Sequence, residues 1–208
     1  HLYLLEVLHD FKKEYPGVRI KIHNHTTPET VKHLVSGKLD FAVVTTPFDM
    51  PKTISCAKVL DFEDILVGGM QYRHLCEGFL KLADFIRYSW IGLGRGSATY
   101  ELYRNFLIEN KIDREPDMEV ASADLMLPLI ENNLGDGFVP KKQVLPLLEE
   151  RRLVQIPVDF RIPRRSIQIA TDKGRGRGLA ADAFYRYIKN WHSRPLFTED
   201  KENYLIVN

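Results

Sequence analysis

Cysteine is scarce in this chain. Cys56 and Cys76 are the two thiols in 208 residues, and they have no CxxC spacing. That excludes a disulfide framework and points to a reducing compartment. Charge of one sign is also lacking: 29 Lys and Arg against 28 Asp and Glu leave a net +1. A domain so close to neutral has no strong electrostatic claim on a phosphate backbone. It can still belong to a protein whose DNA reader lies elsewhere. No apolar run approaches the ~18 residues of a membrane span, so no membrane partner is expected. The opening HLYLLEVLHDFKKEYPG does not read as a signal peptide, because Glu6, His9 and Asp10 interrupt its apolar stretch, and a cytoplasmic location follows. No Ser/His/Asp order, carboxylate pair or phosphate loop rises above chance. His23-x-His25 is the one metal-like spacing; His33 follows eight residues after His25, and no third ligand is assured. The chain reads as a binding module, with no enzyme activity, cofactor or metal expected.

What is present is a repeated strand–turn–helix pattern. It occurs as VRIKIHNHTTPETVKHLV (18–35), WIGLGRGSATYELYRNFL (90–107) and MEVASADLMLPLI (118–130). Each places Ser or Thr where the unpaired amides of a starting helix face the space beyond a strand's carboxyl end. That geometry favours a small anion or polar ligand. Before the first repeat, Leu4, Leu5, Leu8, Phe11 and Tyr15 predict a helical face over residues 2–15, ended by Pro16-Gly17. Val18, Ile20 and Ile22 alternate with polar residues as in a strand. Thr27-Pro28 opens a helix, with Thr27 as its cap. LDFAVVTT (39–46) reads as a strand buried on both faces. Further strands are predicted at 64–68, 90–93, 118–121, 135–139 and 166–171. Helices are predicted at 80–85 (a short turn), 97–109, 123–133, 143–151 and 179–191. Alternating strands and helices imply parallel βαβ units, with ligands at the strands' carboxyl ends. At 208 residues the chain suits one large α/β unit or two lobes of about a hundred residues.

Several of these stretches, in order, match one family. FKKEYPGVRIKI…VKHLVSGKLDFAVVTTP (11–47) resembles the first half of the effector-binding domain of LysR-type transcriptional regulators. Gly96-Ser97-Ala98-Thr99 looks like the family's Gly-Ser-Gly-Thr turn. EVASADLMLPLIENNLGDGFVPKKQV (119–144) is similar to its strand, serine-started helix and Gly-x-x-x-x-Pro strand, and the helix after TDKGRGRGLAADAF fits its ending. The resemblance covers residues 1–192. It implies a type 2 periplasmic-binding-protein-like α/β fold: two Rossmann-like lobes around a hinged cleft, lobe I being 1–67 plus 167–192 and lobe II 68–166, with 193–208 as a C-terminal tail. It also implies that the family's opening strand, with its Ser/Thr-bearing loop, and its winged helix-turn-helix are missing from this chain. The family's Gly-Asn-Ser is His25-Thr26-Thr27 here, and Tyr100 stands where a basic residue is frequent.

The implied function is sensing of a small effector, a carboxylate or other small anion, in the inter-lobe cleft. The signal would pass through a homodimer to DNA-binding domains absent from this chain. In the family's antiparallel pairing the first helix lies beside a lobe II helix, here residues 2–15 against 123–133, with Tyr3 and Val7 as contacts. The alternative is a solute-binding protein of the periplasmic type for a small anion or amino acid. The candidate ligand-binding residues are Thr26, Thr27, Thr46, Gly96, Ser97, Thr99, Ser122 and Phe138. For the threonines and serines the competing reading is a helix cap or turn; for Phe138 it is core packing. Of Thr45 and Thr46, parity lets one face the cleft. Arg95 is either a charge for an anion or solvated, and the arginines within 161–165 and 175–177 read as solvated loops.

Overall fold

Two three-stranded sheets, each covered by helices on both faces, and a two-stranded pair beside the second are built from a chain that crosses between the two larger sheets twice. A computed structural model describes residues 2–191; the tail expected at 193–208 lies outside the described residues. In chain order the elements are α1 (Leu2–Glu14), α2 (Thr27–Val35), β1 (Ala42–Thr45), β2 (Ile54–Phe62), β3 (Asp64–Gly69), a 3-10 segment (Met70–Glu77), α3 (Leu82–Phe85), β4 (Ile91–Leu93), α4 (Ala98–Glu109), β5 (Met118–Val120), α5 (Ala123–Glu131), β6 (Asp136–Pro140), α6 (Lys141–Glu149), β7 (Leu153–Gln155), β8 (Arg165–Asp172) and α7 (Leu179–Asn190).

The first sheet has the order β1-β8-β2. On one face α1 and α7 bury Val7, Phe11, Phe184, Ile188 and Trp191 around Ile169. On the other, α2 sets Val31 and Leu34 on Ala42, Val44 and Ala170. The apolar run ending at Thr46 is therefore covered from both sides. The second sheet has the order β6-β3-β7. Ile65, Val67 and Val139 face Met126 and Ile130 of α5 and Val144 of α6. Leu66 and Phe138 face Tyr103 and Leu107 of α4 and Phe85 of α3. Strand β4 pairs with β5, and Trp90 bridges to Asp136 at the β6 edge.

Four expectations are corrected. The sheets are not built mainly of parallel units: β1 and β2 both run antiparallel to β8, and β3 runs antiparallel to β6 and β7, while β4 and β5 are parallel. The antiparallel partners are distant in sequence, so the local strand–helix alternation carries no sign of them. Residues 18–23 form no ladder among the described residues. Val18 and Ile20 pack on the α1–α7 cluster while Ile22 is exposed. The alternation reported a drier face, but a strand also needs a neighbour to accept its amides. On α1, Val7 is fully buried and Leu5 is 59% exposed. The helical spacing 4, 7, 8, 11 puts Val7 in the stripe and Leu5 off it, so Val7 is not a surface contact. Thr26, not Thr27, caps α2. Strands β2 and β7 and the 3-10 segment had no counterpart in the sequence reading.

Candidate functional site

Where the two sheets meet, the starts of β3 and β8, the end of β1 and the first turns of α4 converge. Asp64 opens β3 and Arg165 opens β8; both are charged and nearly fully buried. They form an ion pair, with Arg165 Nη1 donating to Asp64 Oδ2 at 3.0 Å. Two buried charges persist only when each is well hydrogen-bonded, and four further groups supply most of those bonds. Arg165 Nη2 donates to Thr99 Oγ1 (2.7 Å) and to Thr45 Oγ1 (3.0 Å). Its Nε donates to the Thr46 carbonyl (3.3 Å). The Tyr103 hydroxyl donates to Asp64 Oδ2 (2.6 Å). The Phe62 ring, its cross-strand partner, lies 5.0 Å from the guanidinium carbon. Thr99 and Tyr103 are one turn apart on α4, so both reach the same pair. Burial, with the Asp64 charge beside it, raises the Tyr103 phenol well above its usual range, so it stays a donor. Asp64 Oδ1 is enclosed with no donor among the described residues.

The sequence-based candidates fall into groups around this centre. Thr99 is in direct contact with Arg165, and Thr46 touches it through its carbonyl. The Thr46 hydroxyl is held by Ser166, which donates its amide to it at 2.9 Å. Parity thus gives Thr45 to the guanidinium and Thr46 to the neighbouring strand. Ser97 caps α4, its Oγ accepting from the Tyr100 amide (3.1 Å), and Gly96 precedes it with φ +83°. Thr26 is engaged with its own helix: its amide and hydroxyl both donate to Glu29 Oε2, at 3.3 and 3.1 Å. Thr27 is the first residue of α2. Ser122 stands half-buried at the start of α5 without a side-chain cap bond. Phe138 is buried and stacked on Tyr103 with centroids 4.4 Å apart. Arg95 is exposed and pairs with Glu115 at 2.5 Å. His23, His25 and His33 bring their rings together, at 6.0 and 4.8 Å between successive centroids; among the described residues no group of His, Cys, Asp or Glu is arranged to hold a metal.

Asp64, Tyr103 and Arg165 are the residues sequence reasoning missed. Arg165 was read as part of a solvated basic loop. The usable signal was Asp64, a lone acid opening the apolar run ILV, which a buried strand tolerates only with a partner.

Comparison with known proteins places this architecture. The family model described as the LysR substrate binding domain matches residues 1–193. The chain belongs to that family. Curated relatives of this LysR substrate-binding domain include probable RuBisCO transcriptional regulators of Trichormus variabilis, 22% identical over 91% of this chain and 58% of the relative, and of Cyanophora paradoxa, 24% identical over 86% and 56%. The chain therefore spans a little over half the length of these relatives. Solved structures with the same fold include the effector-binding domain of QuiR in complex with shikimate (TM-score 0.78, 18% identity, 91% of this chain and 90% of that one). Another is the CcmR regulatory domain of Synechocystis in complex with 2-PG (TM-score 0.81, 14% identity, 91% of each chain). The fold is that of the type 2 periplasmic-binding-protein class, as the resemblance implied. No helix among the described residues of this LysR domain is long and apolar enough to cross a membrane.

Proposed function

We propose that this domain is the effector-sensing part of a LysR-type transcription regulator, and that a small anion or carboxylate binds where the two sheets meet. The observation carrying this reading is the bridge at Arg165. One nitrogen joins a threonine of the β1-β8-β2 unit to a threonine on α4 of the other unit. A ligand at that bridge touches both units and so has a different affinity for each of their arrangements, which is what shifting an equilibrium requires. In this reading the lobes are about 1–67 with 167–192, and 68–166. The chain crosses between them at the starts of β3 and β8. Ser97, Gly96, Thr99 and Thr46 line the cleft, with Thr26, Thr27 and Ser122 at the adjoining helix starts; Phe138 backs it from the core. The signal then passes through a homodimer to DNA-reading domains outside this stretch, in the cytoplasm. Leu5 of α1 and Leu125 of α5, both more than half exposed, are the apolar contacts of that dimer. The family match favours this reading over a solute-binding protein, and the named relatives are regulators rather than enzymes.

A thermal-shift screen against small carboxylates, amino acids, phosphate, sulfate and aromatic acids tests it. A saturable rise for one chemical class, diminished in Ser97→Ala, is the expected result. A flat response to the whole panel, with no ligand-dependent change in small-angle scattering, would sink it.

A further inference from the structure

Away from the junction of the two units, the fold brings a third member to the His23-x-His25 pair. Those two residues lie on the segment before α2, and His33 lies on α2 itself. The His23 ring stacks on His25, with centroids 6.0 Å apart and planes 14° apart. The His33 ring meets His25 edge-on at 4.8 Å. His23 and His25 are exposed and His33 is half-buried. No ring nitrogen of the three takes part in a hydrogen bond among the described residues. Neutral imidazole is the commonest metal ligand among side chains. Two imidazoles on one tetrahedral or octahedral ion, each nitrogen about 2.0–2.1 Å from the metal, hold their centroids about 4.5–5.2 Å apart. The His25–His33 spacing already lies in that span. The His23–His25 spacing exceeds it by about 1 Å, a distance that an exposed side chain covers by changing rotamer. Stacking keeps those two rings from facing one point, so as they stand the group is not set to hold an ion; turning His23 breaks no hydrogen bond. Glu29 stands one turn before His33 on α2. Its Oε2 accepts from Thr26, next to His25, and its Oε1 has no donor among the described residues. The segment carrying the first two histidines lacks a backbone tie: residues 19–25 make no backbone–backbone hydrogen bond among the described residues.

We propose that His23, His25 and His33 form a surface site for a late first-row divalent cation of the zinc class, and that the bound ion fastens residues 19–25 to α2. Glu29 or a water completes the coordination. Imidazole donors suit zinc, nickel and copper ions, whereas magnesium and calcium take oxygen ligands and are refused here. Thr26, the cap of α2, stands between the ligands in sequence, so the ion also holds the start of that helix. The ligands lie outside the Arg165 network, and the proposal stands or falls separately from the effector reading.

The test titrates the 208-residue chain with zinc chloride, in competition with a chromophoric chelator, at about pH 7.5, above the ordinary range of imidazole. A parallel titration uses magnesium chloride. Zinc should bind saturably and magnesium should not. The imidazole carbon–proton NMR signals of His23, His25 and His33 should move together, with those of His9 and His74 unmoved. Loss of an outer partner of a metal ligand already weakens metal binding about 10–100-fold, so His23→Gln and His25→Gln should each lower zinc affinity at least about tenfold. Both positions are exposed, so the variants should fold, as circular dichroism would check. His9→Gln should bind zinc as the wild type does. Zinc should also slow amide exchange over residues 19–25 in the wild type but not in His25→Gln. Affinity unchanged in His25→Gln, shifts confined to other histidines, magnesium binding as tight as zinc, or no zinc binding overturns the proposal. Zinc held by His25 and His33 with the His23 ring and the exchange of 19–25 unaltered overturns both the third ligand and the fastening.

Discussion

Two buried carboxylates mark the extremes of how this chain treats charge. Asp64 is matched by Arg165 and Tyr103. Removing one partner of such a pair is costlier than removing both, because the survivor stays buried and charged. Arg165→Met should cost about 3–5 kcal/mol. Asp64→Asn/Arg165→Gln should recover a large part of that, as a double-mutant cycle in urea would show. Asp136 has no such match: it is fully buried and neither oxygen has a donor among the described residues. Burial pushes its carboxyl up to about 8; Arg114 opposes the rise and Asp117 adds to it. The folded protein therefore keeps a proton that the unfolded chain releases above its ordinary value of 3.8. Stability should fall as pH rises from there to about 8, by at most about 1.4 kcal/mol per unit, and level off above. Asp136→Asn should flatten that dependence and raise Tm most at pH 8; an unchanged pH profile would show that the carboxyl is not held neutral. At this scale the sequence displayed the hydroxyls plainly. Thr46, Ser97 and Thr99 were legible from their place at strand ends and helix starts. Arg165 was not, since an arginine in RIPRRS looks like any solvated one until a distant acid closes over it.

Among the elements, helices were the more legible. The apolar stripes of α4, α5 and α7 depend on residues three and four apart, and their bounds fall within two residues of those expected. Their starts are testable locally. Ser97→Ala removes the bond from the Tyr100 amide and should cost about 1 kcal/mol. Gly96→Ala meets open space but must hold φ +83°, and should cost about 1–2 kcal/mol through backbone strain alone. Hydrogen exchange should report both as faster opening of the first turn of α4, leaving α7 unaffected. Strands fared unevenly because a strand is completed by its neighbour. The alternation at 18–22 has a half-buried face but no ladder among the described residues, while β2, whose ISCAKVLDF mixes polar and apolar residues, makes with β8 the longest pairing among them.

For the whole molecule, the proposed dimer makes its own prediction. Leu125→Glu puts a charge on an exposed apolar position of α5. It should shift sedimentation toward monomer without changing Tm by more than about 0.5 kcal/mol's worth, the usual range for a surface change. An unaltered sedimentation profile would remove α5 from the interface. Sequence alone determined the family, the order of helices and the hydroxyl-bearing starts, because these are carried by local periodicity and by motifs within thirty residues. Tertiary structure decided the antiparallel pairing of both sheets, the burial of Val7 and the charge pair beneath the threonines. Thr45 and Arg165 are 120 residues apart, and Asp64 and Arg165 are 101 apart. A buried ion pair is worth forming only once the fold has excluded water from both charges together, and no stretch of sequence contains that condition.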